Sequence, residues 1–144
     1  MIEQDTIKLL RECDAGVKMG TASIDEVIDL VKNERFKECL NSCKDQHEQL
    51  NNEIQELLKE YKDEGKNPNP MAKSMSWLKT NIKLAVGESD NTIADLMTDG
   101  CNMGVKSLNK YLNKYEAASE FTKDICKRLI NLEESLASQI RCYL

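Results

Sequence analysis

Histidine, proline and aromatic residues are scarce in this chain: one histidine (His47), two prolines and 5% aromatics in 144 residues. A lone histidine cannot supply the two imidazoles that a carboxylate-bridged metal pair takes from its helices. Both prolines fall in DEGKNPNPM, Asp63 to Met71, so no other segment breaks a helical pattern so clearly. Few aromatics leave Leu, Ile, Val, Met and Ala to fill the core. No apolar run approaches the roughly 20 residues that span a bilayer, which excludes a membrane helix. Clustered basic residues are also missing. A net charge of -5 with interspersed lysines and acids excludes a nucleic-acid groove. The six cysteines, Cys13, Cys39, Cys43, Cys101, Cys126 and Cys142, include no CxxC pair. The first residues, MIEQDTIKLLREC, alternate charge with Leu and Ile instead of forming a signal peptide. The expected location is therefore the cytoplasm, with the cysteines as thiols.

What is present describes an all-α fold. Hydrophobic residues at 40% and charged residues at 31% suit a globular chain, expected to form one domain over residues 1–144. Ile7, Leu10, Val17, Ile24, Ile28 and Val31 recur at helical spacing. A second stripe runs from Phe36 through Leu40, Cys43, His47, Leu50, Ile54 and Leu57 to Tyr61. The two predict an antiparallel pair of helices turning at Lys32-Asn33. After the prolines, Met71, Met75, Leu78, Ile82 and Ala85 predict a short helix ending at Gly87. Candidate caps at Ser89 to Thr92 then open a helix carrying Ile93, Met97, Leu108, Tyr111 and Tyr115, and Ser119 or Thr122 opens the last, with Ile125, Leu129, Leu132, Leu136 and Ile140 inward. The expectation is long helices near 4–31, 34–64, 90–115 and 119–142, with a short one near 71–86 in a crossover of roughly 25 residues.

Three local features bear on function. In CLNSCKDQHEQL, Cys39, Cys43 and His47 lie four residues apart along one helix face. Thiolate and imidazole ligands suit zinc or copper(I), but positions i and i+8 are about 12 Å apart, so one ion cannot reach both Cys39 and His47. The other reading makes Cys43 a small core residue and His47 a buried histidine, with Asp14, in the equivalent stripe of the first helix, as its partner. Gly16-x-x-x-Gly20 and Gly100-x-x-x-Gly104 form a second feature, since glycine inside a helix costs about 1 kcal/mol relative to alanine. They mark either close approach of helices one and three or a small pocket or subunit contact. GCNMGVKS, Gly100 to Ser107, has a passing likeness to a phosphate-binding loop, but the spacing is wrong and no strand precedes it.

The helix layout resembles the ferritin-like superfamily. IADLMTDGCNMGVKSLNKYL after MSWLKTNIKLAVGESD is similar to a family of uncharacterised bacterial ferritin-like bundle proteins, whose third helix carries a comparable acid-Gly segment after a Trp-containing crossover. The resemblance implies a four-helix bundle with a crossover holding a fifth short helix, and a homodimer as the default assembly. It would also imply a di-iron oxidase, but here Lys44 stands three residues before His47 where an acid is required. Glu134 is followed at three residues by Ala137 and Glu133 by Leu136, and Lys18 lies near the level of a ligand glutamate. The expected reading is a non-enzymatic bundle with a degenerate metal site and no cofactor, acting through protein or small-ligand contacts. A zinc, copper or iron alternative would draw on Cys43, His47, Asp14, Glu133 and Glu134.

Overall fold

A computed structural model describes residues 2–66 and 89–144. The short helix expected near 71–86 lies outside the described residues. Within them the chain forms four long helices and no strand: α1 (Ile2–Val27), α2 (Glu34–Glu60), α3 (Asp90–Lys114) and α4 (Glu120–Gln139). Single 3-10 turns at Ile28–Leu30 and Arg141–Tyr143 follow α1 and α4. None of the described helices is long and apolar enough to cross a membrane.

The helix ends are set by particular residues. Asn33 caps α2, its side chain accepting the Phe36 amide at 3.1 Å, and Ser119 caps α4 by accepting the Thr122 amide at 3.2 Å. α2 stops four residues short of the expected Glu64. Lys62, at φ 54, puts the chain into the left-handed region, and the Asp63 amide returns to the Leu58 carbonyl at 2.9 Å. This six-to-one closure, with the Lys62 amide on Lys59, is a Schellman ending. Gly65 follows at φ 81, and a Cβ there would collide with the Asp14 carboxylate, so glycine is required.

Contacts between helices fix their directions. Cys39 meets Gln139, His47 meets Glu133 and Glu53 meets Arg128, so α2 and α4 run antiparallel. The Ser119 amide bonds Thr6, and Gly16 faces Leu129, so α1 and α4 run parallel. α3 is therefore antiparallel to α1, and the bundle is two hairpins joined by one long connection. That connection leaves at Lys66, whose ammonium sits 2.7 Å from Glu12 on α1. It returns at Asp90, whose carboxylate accepts the Lys32 and Asn33 amides at 2.9 Å.

The core has two apolar halves. One gathers Ile24, Val27, Phe36, Leu40, Ile93, Met97, Leu136 and Ile140. The other gathers Leu9, Leu10, Val17, Ile54, Leu58, Ile125 and Leu129. His47, 1% exposed, lies where they meet.

Candidate functional site

His47 is fixed from both sides. Its Nδ1 lies 2.8 Å from the Cys43 carbonyl oxygen one turn earlier, and its Nε2 lies 2.9 Å from Glu133 Oε1 on α4. A carbonyl and an ionised carboxylate only accept, so both ring nitrogens donate and the ring is an imidazolium. Burial opposes that charge, but the Cys43 side chain, its Sγ 3.5 Å from Nδ1, and the Glu133 carboxylate outweigh it and raise the pKa to about 10. The pair is a charge-assisted bond between α2 and α4 in the middle of the bundle.

Glycine makes room for it. A Cβ on Gly20 would stand 2.8 Å from His47 Nε2 and 2.9 Å from Cδ2, so only glycine lets α1 pass over the ring at its present distance. A Cβ on Gly104 would come to 3.6 Å from Glu133 Oε2, ordinary contact, and one on Gly16 to 3.4 Å from Leu129. A Cβ on Gly100 would meet no described residue of another element within 4 Å. The described neighbours nearest to these glycines are side chains of α2, α3 and α4.

All four glycines line one cavity of about 480 Å³ between α1 and α3. Its walls include Met19, Ile24, Leu96, Met97, Met103 and Leu108, and His47, Glu133 and Leu136 reach it from α2 and α4. Ser23, Ser107, Tyr111 and Glu12 add polar groups. Among the described residues no lysine or arginine lines it. Cys101 also borders it, and burial together with the Glu133 charge pushes that thiol well above its usual range.

Asp14 is not the partner of His47. Although fully buried, it accepts from Lys18 at 2.9 Å, from Gln55 at 2.7 Å and from the Lys66 amide at 3.0 Å, clasping the end of α2 to α1. The residue that faces His47 on α1 is Gly20, six positions on, or about 9 Å along the axis. A fold about Lys32-Asn33 sets His47 opposite position 18, already four residues from Asp14, and the connection, in which a 3-10 turn and an extended Val31 follow α1, shifts the pairing by two residues more. Lys18, placed near a ligand position by the sequence, bonds Asp14, and Lys44 pairs with Asp25.

Of the residues that a metal alternative would draw on, Cys43, His47 and Glu133 are brought together, while Asp14 is engaged elsewhere and Glu134 is exposed. Among the described residues no three His, Cys, Asp or Glu side chains are grouped to hold a metal ion. The cysteines divide between the two core halves, Cys43 and Cys101 in one and Cys13 and Cys126 in the other. Glu133 as the histidine's partner was missed by the inward stripe assigned to the last helix. Positions 129, 133, 136 and 140 form an equally regular inward series, and an acid among three aliphatics was the available signal.

No family model, curated protein or solved structure matches this chain.

Proposed function

We propose that the protein is a non-enzymatic, ferritin-like helical bundle that holds a small apolar ligand between α1 and α3. The cavity carries this reading: its volume of about 480 Å³ lies within the roughly 300–1,000 Å³ of small-molecule sites, and its walls are mainly apolar with a few convergent polar groups. Two features weigh against catalysis. Both nitrogens of the sole histidine are already bonded, and the neighbouring Cys101 thiol is held away from its reactive thiolate form. The helix directions, with one long connection between α2 and α3, support the ferritin-like part of the reading. Six free thiols support a cytoplasmic protein.

Titration with N-phenyl-1-naphthylamine, an uncharged probe that fluoresces in apolar surroundings, tests the proposal. One saturable site per chain is expected. Gly100→Leu adds a side chain at the cavity wall, where a Cβ meets no described residue within 4 Å, and should weaken binding at least about tenfold, a change of roughly 1.4 kcal/mol, while the melting temperature holds or rises. Failure of the probe to bind would overturn the proposal. So would unchanged binding in the variant.

A further inference from the structure

The chemistry of the cavity wall narrows the class of ligand, on the assumption that the cavity is a ligand site. Its ionised groups are Glu133 and Glu12, with the His47 imidazolium behind Glu133. Glu12 is paired with Lys66. An anionic ligand would meet two carboxylates and no free cation among the described lining residues, because His47 is 1% exposed and both its N–H groups are used. Burying an unpaired charge against like charges is strongly unfavourable.

Glu133 offers the opposite chemistry. A carboxylate has about four acceptor positions. His47 takes one on Oε1, and among the described residues the Cys101 thiol also donates to Glu133. Acceptor capacity is left over on a side chain that is 13% exposed and borders the cavity. The cavity therefore favours a ligand that donates. Between donors, a protonated amine would face the imidazolium across the same carboxylate, since His47 already balances that charge. A hydroxyl brings no charge into the apolar space and gains a strong O–H···O⁻ bond.

We propose that the ligand is an uncharged apolar molecule with one hydroxyl head, an alcohol or a phenol, that donates to Glu133. Three probes sharing one skeleton test it by calorimetry at pH 7: 2-naphthol, 2-naphthoate and 2-naphthylmethylammonium. Naphthol should bind at least about tenfold more tightly than either charged analogue. In Glu133→Gln the amide is a weaker acceptor and can donate to a carboxylate, so the preference for naphthol over naphthoate should fall to about threefold or less. Should that variant fail to fold, the wild-type series alone decides. Equal binding of all three probes overturns the hydroxyl assignment and leaves the cavity as a ligand site. Tighter binding of naphthoate or of the ammonium overturns it too, as does an unchanged preference in a folded Glu133→Gln protein. Binding of none removes both this inference and the proposed function on which it rests.

Discussion

His47 owes its charge to where two acceptors stand, and that makes its contribution to stability depend on pH. The folded pKa of about 10 lies above the ordinary histidine value of 6.5 that the ring regains on unfolding. Between those values the native state holds a proton that the unfolded chain has released, so stability falls as pH rises. The contribution is complete below about pH 6.5 and lost above about pH 10. Cys43 and Cys101 are the other titratable groups near the pair, and Cys101 is held protonated through this range. Urea denaturation of wild type and His47→Gln from pH 6 to pH 10 checks this. At pH 6 the variant should be less stable by about 1–3 kcal/mol, because Glu133 loses its charged donor. The gap should close by pH 10. A gap that stays constant with pH would mean that the ring is neutral in the fold.

At the scale of the helices, four glycines with the same sequence signature have different reasons to be glycine. Gly20 lies over the His47 ring, which is held at both nitrogens and cannot move aside. Alanine there gains helix propensity of about 1 kcal/mol but forces a 2.8 Å contact, and overpacking of this kind costs typically 1–3 kcal/mol. Gly20→Ala should be neutral to destabilising by about 2 kcal/mol. Gly100→Ala meets no neighbour within 4 Å among the described residues and should stabilise by about 0.5–1 kcal/mol. Thermal denaturation of the two variants reads the contrast directly; equal shifts in one direction would contradict the packing described for Gly20. Repetition of G-x-x-x-G showed that α1 and α3 have narrow surfaces there. It could not show which neighbour each glycine admits, because that depends on register. The stripes from Ile7 to Val31 and from Phe36 to Tyr61 placed α1 and α2 well, since amphipathic periodicity is a local signal. The Asp14 assignment failed because a fold about Lys32-Asn33 already leaves Asp14 four residues from the level of His47, and the 3-10 turn at Ile28–Leu30, which has no strong signature in the sequence, moves the pairing two residues further.

For the molecule as a whole, a polar layer separates two apolar core halves, and the cavity opens beside that layer. The layer is tied across the bundle by one ion pair, from His47 on α2 to Glu133 on α4, while Gly20 and Gly104 leave space for it from α1 and α3. Composition and periodicity made the all-α architecture legible. The repeated glycines pointed to a small pocket as one of their readings, but its volume and its other walls were not legible, because an empty volume arises from four elements at once. The central claim is that this mid-bundle space accepts a ligand above the His47–Glu133 pair. Amide NMR during titration with 2-naphthol measures it most directly, because glycine amides resonate in a sparsely populated region and four of them line the cavity. Saturable shifts of Gly16, Gly20, Gly100 and Gly104, with small changes at Cys13 and Ile125 in the apolar half away from the layer, are the predicted result. Shifts scattered over the surface, or saturable shifts that leave these four glycines unmoved, would contradict the account.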